Sequence, residues 1–386
     1  MDNLPKTWDD WIKNFEEWQD TVGYQREWMG NFELSILFDW ERAGDTIEFG
    51  DYKGRNKWER SLQVPHQSMR DALVSMITVQ GDTEFASVEQ QRHLLATAPT
   101  DYDRYAAARI MAEEQRHGWQ MAYLLMTYFG QQGRREAQKL LERNAQAAAR
   151  RRGAVTRPRT PWPDFVCYTM FVDRDGKFQL GMLSTSAFKP LAASMGPMLK
   201  EEAFHLGTGS NGLRRVIKAG VLPLDLLQRY INQWVSTAHD LFGVDESSSA
   251  HWAYVWGVKG RWDERKKLEG GVEVSKEKLN EEARHHYHEE IVREVRKLCN
   301  YLPDDAPRLY VPHENFNREI GTYKRQRYTV EGTLFEGSDD EWNQYIETHL
   351  PTKKDEEDLK EYFKQQWVAE KPMTAKQIAS GIGAGA

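Results

Sequence analysis

The chain has 386 residues, of which 40% are hydrophobic and 29% charged, so a large buried core is expected and extensive disorder is not. Its net charge of −7 argues against nucleic acid as a partner, because nucleic-acid-binding proteins are usually basic. No apolar run reaches about 18 residues, the length of a membrane span, and the acidic, aromatic N-terminus is unlike a signal peptide. Two isolated cysteines, Cys167 and Cys299, fit a reducing cytoplasm and are too few for an iron–sulfur cluster.

Helical patterns dominate the sequence, and few segments alternate polar and apolar residues, so we predict a mainly α protein. Residues 1–60 are mixed and punctuated by glycines. A first long helix is predicted over about 65–98. A second begins at an N-cap, Asp101 or Asp103, and ends at Gly130.

The middle of the chain continues with helices and one rigid turn. A polar, alanine-rich helix is predicted over 133–152, and a proline-rich turn over 157–164. An apolar segment follows this turn. The next helix is predicted over about 187–206 and should end at Gly207 and Gly209.

Three regions are predicted from these patterns. Residues 1–60 form an extension that packs on the main domain, and residues 61–225 form a four-helix bundle. Residues 226–386 form a mainly helical C-terminal region whose last residues, SGIGAGA, are predicted to be flexible.

The sequence Glu-x-x-His occurs three times, at Glu114–His117, Glu202–His205 and Glu282–His285. Residues three apart share one helix face, so each motif points a carboxylate and an imidazole in the same direction. In the first two motifs that face belongs to an apolar helix, where such groups are costly unless something pairs with them. The third motif lies in a segment charged nearly all round, which indicates a solvent-facing helix.

An acidic residue lies upstream of each of the first two motifs at nearly the same spacing. Glu84 precedes Glu114 by 30 residues, and Asp173 precedes Glu202 by 29. Two antiparallel helices joined by a loop bring residues at that separation side by side, so the same unit occurs twice. Packed as a four-helix bundle, the two units converge four carboxylates and two histidines, the arrangement of di-iron and di-manganese carboxylate centres. Two divalent cations would balance the four charges, with the histidines as neutral ligands.

Ordinary ion pairs are the alternative for a single motif. Arg116 would then pair with Glu113, and Lys200 with Glu201. The repetition of the unit favours the metal centre over this alternative. Glu113 and Glu201 each precede a predicted ligand by one residue and point about 100° away, so we expect them behind the ligands or exposed.

One further motif resembles a nucleotide site. Residues 207–212, GTGSNG, fit the pattern G-x-G-x-x-G. That pattern indicates dinucleotide binding only when it follows a strand and opens a helix. Here it follows a helix, so a C-cap and loop are predicted instead.

Several segments together resemble a known family, the oxygenase components of benzoyl-coenzyme A 2,3-epoxidases. These are ferritin-like di-iron enzymes, related more distantly to the catalytic subunit of phenylacetyl-coenzyme A epoxidase. The resemblance is close over about 75–220 and continues weakly through 312–323. Phe85 stands where the family pattern has proline, and the region after about 330 is shorter. The segments are QGDTEFASVEQQRHLLATAP, EEQRHGWQMAYLL, YFGQQGRREAQKLLER, FVDRDGKFQLGML and MLKEEAFHLGTG.

The resemblance implies a site and a reaction. It implies that Gln80, one turn before Glu84, lies near two iron ions that activate dioxygen. One oxygen atom would be added to the aromatic ring of an aryl-coenzyme A thioester such as benzoyl-coenzyme A, in a monomer or homodimer. The metal ligands that the resemblance implies are those that the repeated spacing predicts: Glu84, Glu114, His117, Asp173, Glu202 and His205.

Electrons for this reaction must come from elsewhere. The chain has no credible nicotinamide or flavin site, and two cysteines cannot build an iron–sulfur relay. A separate NADPH-dependent reductase component is therefore expected as a partner.

Substrate contacts are less clearly marked. Met121, Met170, Phe171 and Phe204 neighbour ligands in the sequence, and each is either part of a ring pocket or plain core. The coenzyme A phosphates call for basic residues. Two runs qualify, 149–159 and 213–218, the second with Arg214 and Arg215, although a basic run also fits a solvated face.

Two rival functions remain open. The first is a di-iron oxygenase of the same fold that acts on an arylamine or a free aromatic compound. The second is iron storage or a structural subunit without catalysis. Against the second, about 160 residues follow the last ligand helix, unlike a compact storage ferritin, and no predicted ligand is missing.

Overall fold

The fold is that of a helical bundle with helical additions at both ends. The computed structural model describes residues 4–24, 34–143, 161–245, 248–265 and 278–374. Within these ranges there are isolated β-bridges but no β-strand, which confirms the predicted mainly α class. No helix in this described part is long and apolar enough to cross a membrane.

Four long helices form the bundle, and they correspond to the predicted ferritin-like arrangement. Helix α3 packs along α4, and α6 packs along α7, so the bundle consists of two hairpins. Helices α4 and α7 lie side by side and antiparallel, since Asp103 meets Arg215 near one end and Gln120 meets Ser194 near the other. The bounds are α3 Gln67–Gln91, α4 Asp101–Tyr128, α6 Trp162–Leu183 and α7 Lys189–Ala219.

The other helices surround this bundle. Helix α8 packs on α6, and α10 touches both α6 and α7. The Tyr287 hydroxyl of α10 donates a 3.0 Å hydrogen bond to the carbonyl of Phe171 in α6. The division into three regions stays a prediction. The remaining bounds are α1 Trp8–Thr21, α2 Trp40–Ala43, α5 Gly130–Glu142, α8 Leu224–Leu241, α9 Ser248–Val255, α10 Leu279–Cys299, α11 Asp339–His349 and α12 Lys353–Tyr362.

Helix α1 covers the outside of the first hairpin with aromatic residues. Its N-terminus is fixed by a capping box at Thr7, and its buried face includes Phe15 and Trp18. The Phe15 ring lies 5.1 Å from that of Trp119, and Trp18 lies 4.9 Å from Phe85. Phe85, the departure from the family pattern, is thus a fully buried anchor for α1.

Two predicted boundaries near α4 differ from the structure. The N-cap of α4 is Thr100, whose hydroxyl accepts a hydrogen bond from the Asp103 backbone, rather than Asp101 or Asp103. Threonine is also a favoured N-cap residue, although it ranks below aspartate, and here it precedes both aspartates in the chain. Helix α5 begins directly at Gly130 and ends at Glu142, ten residues before the predicted end of the helix over 133–152, and residues 144–152 lie outside the described residues.

The predicted end of the fourth helix at Gly207 and Gly209 is wrong, because α7 continues through the whole GTGSNG segment to Ala219. A Cβ at Gly209 would lie 2.4 Å from the backbone nitrogen of Met170, and one at Gly212 would lie 2.6 Å from Val166 Cγ1. The glycines therefore let α7 approach α6 closely. This packing offsets a helix-propensity cost of about 1 kcal/mol per glycine.

Gly209→Ala should lower the free energy of unfolding by about 2 kcal/mol, because the new methyl group overlaps a backbone atom that cannot move away. Gly207 is the matched control, since no atom lies within 4 Å of its added Cβ. Gly207→Ala should stabilise the protein by up to about 1 kcal/mol. Urea unfolding of both variants measures the difference. Equal changes in the unfolding free energy of the two variants would show that α6 leaves room for a methyl group at residue 209.

Candidate metal centre

The six predicted metal ligands come from all four bundle helices, and all are buried. Glu84, Glu114 and His117 each offer one nitrogen or oxygen atom that could bind a metal, and these three atoms lie within 4.8 Å of one another. Glu114, Glu202 and His205 form a second group of the same size. Glu114 belongs to both groups and so stands between two adjacent candidate sites. The ligands are Glu84 of α3, Glu114 and His117 of α4, Asp173 of α6, and Glu202 and His205 of α7.

Asp173 stands slightly apart from these two groups. It lines a cavity of about 70 Å³ together with Glu84, Glu114 and Glu202, and this cavity opens between α3 and α6. Gln80 also lines the opening and donates a hydrogen bond to Glu84. An engineered cavity that binds benzene measures about 150 Å³, so this opening, at about 70 Å³, is too small for an aromatic ring as it stands.

Each histidine ring is oriented by a carboxylate from the opposite helix. His117 Nε2 lies 2.7 Å from Glu201 Oε2, and His205 Nε2 lies 3.1 Å from Glu113 Oε2. We assign Nε2–H as the donor in both bonds, which turns each Nδ1 lone pair toward the predicted ligands. Glu113 and Glu201 therefore lie directly behind the ligands, each serving the other helix's histidine.

The inward ring nitrogens fit a metal. His117 Nδ1 lies 3.6 Å from Glu84 Oε2, and His205 Nδ1 lies 3.4 Å from Glu202 Oε2. Within the described part of the chain, both Nδ1 atoms and Glu202 Oε2 are buried without a hydrogen bond. Buried polar atoms of this kind normally have a partner. Imidazole nitrogen and carboxylate oxygen are suitable ligands for iron and manganese, so the donor set fits two such ions.

The ion pairs considered as the alternative are wrong. Arg116 pairs with Glu201 rather than Glu113, and its Nε donates to Glu201 Oε1 at 2.9 Å. Glu113 instead accepts from Arg109 Nε at 2.8 Å. Each histidine is thus backed by a glutamate and then an arginine. The Arg116–Glu201 pair joins two helices, so spacing along one helix could not reveal it, whereas Arg109 and Glu113 are four residues apart within α4.

Charges in the centre shift the pKa values of the ligands. Burial opposes ionisation of Glu84, but the neighbouring Glu114 and His117 side chains outweigh it and lower its pKa to about 2. Burial and the neighbouring Glu84 carboxylate raise the pKa of Glu114 well above its usual value. For His117, burial is outweighed by the hydrogen bond to Glu201 and by the nearby Glu84 carboxylate, which raise its pKa to about 9. Protons thus balance the carboxylates, and a metal ion has to displace them.

The third Glu-x-x-His motif belongs to neither group. The His285 side chain is 60% exposed, and its Nδ1 lies 3.0 Å from Glu314 Oε1. His285 is therefore exposed as predicted, but α10 is not solvent-facing all round, because its opposite face buries Tyr287 and Ile291. A local motif without buried partners on other helices does not assemble a centre.

The predicted substrate residues lie away from the opening between α3 and α6. Met121 and Phe171, like Met170, are fully buried in the core. Phe204 is half-buried beneath the Arg109 guanidinium, whose carbon lies 3.8 Å from the ring centroid. The basic run over 149–159 lies outside the described residues.

The two predicted arginines of α7 have different surroundings. Arg215 is buried, and its NH2 group donates to Asp103 Oδ2 at 3.0 Å, so its charge is already paired. Arg214 is half-buried, and its guanidinium carbon lies 5.9 Å from the ring centroid of Tyr301.

The residues that do line the opening lie within a few positions of ligands. Thr83 precedes Glu84, Val172 precedes Asp173, and Tyr168 lies five residues before Asp173. Leu241 comes from α8, beyond the bundle. Its position depends on how α8 packs on α6, for which the sequence carried no signal.

Asp175 is buried and 3% exposed, whereas the sequence analysis placed it toward solvent or a helix distortion. It accepts a 3.1 Å hydrogen bond from Gln179 and lines the opening. Gly176 and Lys177 suggested exposure, but the packing of neighbouring helices around α6 encloses this side as well.

Asp173→Asn should reduce metal content and activity far more than Asp175→Asn, because Asp173 lines the centre with three other carboxylates. Neither change alters side-chain volume much, so each serves as the control for the other. Elemental analysis after loading with iron measures the difference. If Asp175→Asn lost metal while Asp173→Asn kept it, Asp175 and not Asp173 would be the metal ligand on α6.

The bundle and its two carboxylate–histidine groups define a ferritin-like protein with a candidate two-metal carboxylate centre. The family model described as phenylacetic acid catabolic protein matches residues 59–323, and the chain belongs to this family. It is also similar to "Benzoyl-CoA oxygenase component B" of Aromatoleum evansii. The two are 36% identical over 389 aligned residues, which cover 88% of this chain and 79% of that protein. These comparisons confirm the family resemblance drawn from the motifs.

Proposed function

We propose that this chain is the oxygenase component of a di-iron enzyme that epoxidises the aromatic ring of an aryl-coenzyme A thioester, such as benzoyl-coenzyme A. The observation that carries the proposal is the pair of buried groups sharing Glu114, whose inward histidine nitrogens have no hydrogen-bond partner in the described residues. The name of the 36% identical relative supports the same substrate class.

The donor set would hold two iron ions. Glu84, Glu114 and His117 surround one position, and Glu202 and His205 complete the other with Glu114. Asp173 adds a fourth carboxylate. When bound, the iron pair would supply the activation of dioxygen, which provides the oxygen atom added to the ring. Carboxylates suit this role because they can bridge two ions or bind one.

The residues around the centre would control access and exclude water. Val172, Leu180 and Leu241 give the opening an apolar wall, while Gln80 and Thr83 give it a polar rim. An aromatic ring would have to displace parts of α3 or α6, because the cavity of about 70 Å³ is too small for it. The arginine–glutamate pairs behind the histidines would keep both rings in place during this movement.

Two electrons are required for each ring epoxide. In the balanced reaction, aryl-coenzyme A, dioxygen, NADPH and one proton give the epoxide, water and NADP⁺. We infer that a separate NADPH-dependent reductase supplies these electrons. The word "component" in the name of the similar protein is consistent with a partner.

The test uses the iron-loaded protein, the reductase and NADPH with a panel of substrates. Benzoyl-coenzyme A and other aryl thioesters should give NADPH-dependent oxygen uptake and a thioester product heavier by one oxygen atom. Oxidation of only free aromatic acids or arylamines would favour the rival oxygenase function. Iron uptake without oxidation of any substrate would favour iron binding or a structural role. Sustained turnover by this chain alone with NADPH would contradict the two-component proposal.

A further inference from the structure

The outward face of α7 carries basic residues on a chain whose net charge is −7. Lys200 and Lys218 are exposed, and Arg214 is half-buried. Exposed Ala203 and Gly207 lie between them. We call these five residues the α7 stripe. It contains no carboxylate, and its two small residues leave the helix backbone accessible to a partner.

A short chain of contacts connects this face to the candidate metal centre. Arg109 of α4 has 43% of its side chain exposed, and its Nε lies 2.8 Å from Glu113 Oε1. Glu113 Oε2 in turn lies 3.1 Å from His205 Nε2. The Arg109 guanidinium covers the Phe204 ring, next to His205 in the sequence. Only the Glu113 carboxylate therefore lies between the exposed Arg109 side chain and His205, a predicted metal ligand.

This face is distinct from the opening to the centre. The opening lies between α3 and α6, whereas the α7 stripe and Arg109 lie on α7 and α4. Because α3 pairs with α4 and α6 with α7, the two faces lie on opposite sides of the bundle. A molecule bound at the α7 stripe would leave the opening free.

We propose that the α7 stripe, with Arg109, is the docking surface for the electron-donating component, which binds through an acidic patch. The inference rests on the proposed function. A row of basic residues without carboxylates, on a protein whose net charge is −7, would steer a negatively charged partner to that place and orientation. The two electrons that reduce the second oxygen atom to water would enter here, where one carboxylate separates Arg109 from His205.

The test compares the double variant Lys200→Glu/Lys218→Glu with Lys354→Glu, an exposed lysine of α12. Reversing two docking charges should raise the KM for the reductase about tenfold or more and weaken its direct binding. The salt dependence of the KM should also decrease. The kcat at saturating reductase should be unchanged, and Lys354→Glu should behave like the wild type.

A reductase-free measurement separates this inference from the proposed function. Dithionite-reduced protein is mixed with dioxygen and benzoyl-coenzyme A, and product is counted after one turnover. The double variant should match the wild type in this measurement. An unchanged KM and unchanged binding of the reductase would overturn the docking surface. So would a raised KM for benzoyl-coenzyme A alone, which would assign the stripe to coenzyme A phosphates. Absence of product from the wild type here would count against the proposed function, while direct reductase binding would still decide the docking surface.

Discussion

Glu114→Gln should reduce the iron content from about two ions per chain to well below one and abolish oxidation of aryl thioesters. Glu114 is the one residue shared by both candidate ion positions. An amide keeps the size of the side chain but removes the charge and one oxygen ligand. Losing a shared ligand should therefore weaken both positions together.

The metal-free protein offers a second readout for the same variant. Burial and the adjacent Glu84 raise the pKa of Glu114, so it carries a proton when no metal is bound. Glutamine resembles this protonated form and can still donate to Glu84. The metal-free variant should therefore unfold at the same temperature as the metal-free wild type. Iron should raise the unfolding temperature of the wild type only, because ligand binding stabilises the native state.

Glu282→Gln is the matched control, since Glu282 occupies the same position in the third motif. The His285 side chain is 60% exposed. Within the described part of the chain, neither Glu282 nor His285 belongs to a group of residues that could hold a metal ion. This control should keep full iron and full activity. If Glu114→Gln also kept both, the assignment of the centre would be wrong.

The three motifs illustrate how far the sequence can predict this centre. All three read Glu-Glu-x-x-His, with Glu113, Glu201 and Glu281 as the extra first residue. The acidic partners 30 and 29 residues upstream distinguished the first two, because hairpin spacing is visible in the sequence. What Glu113 and Glu201 do was not visible, since each contacts a histidine on the opposite helix.

Tertiary packing also explains the errors in the predicted fold. Glycine-rich residues 207–212 looked like a helix end because local propensity disfavours glycine in helices. The contact of Gly209 with the α6 backbone reverses that preference, and it depends on a helix about 40 residues away in the sequence. Asp175 was misplaced for a similar reason. Its surroundings come from neighbouring elements and not from the adjacent Gly176 and Lys177.

Arg116→Met should lower the free energy of unfolding by about 3 kcal/mol, whereas Arg109→Met should cost about 0.5 kcal/mol. The two arginines make comparable bonds, with Nε–carboxylate distances of 2.9 Å for Arg116 and 2.8 Å for Arg109. Their surroundings differ, since 3% of the Arg116 side chain and 43% of the Arg109 side chain are exposed. Removing the buried arginine leaves Glu201 with His117 as its remaining partner and one carboxylate oxygen without its ion pair, while water solvates Glu113 when Arg109 is lost.

The same pair of variants tests the support of His117 separately from stability. Without Arg116, Glu201 is held less firmly, and the ring of His117 loses part of its orientation. Iron affinity should fall about tenfold to a hundredfold. Metal competition titrations on folded protein measure this fall, and urea unfolding measures the stability.

The stability difference should also depend on pH in a defined direction. Burial opposes ionisation of Glu201, but hydrogen bonds from His117 and Arg116 outweigh it and lower its pKa from 4.5 to about 2. A lowered folded-state pKa contributes stability above the unfolded value, and this contribution is lost as the pH falls toward about 2. The gap between metal-free wild type and Arg116→Met should therefore shrink across that range. Two results would contradict this account. One is a difference in unfolding free energy that stays constant with pH, and the other is an Arg109→Met variant as unstable as Arg116→Met. Either would show that burial does not determine how much the Arg116–Glu201 pair stabilises the protein.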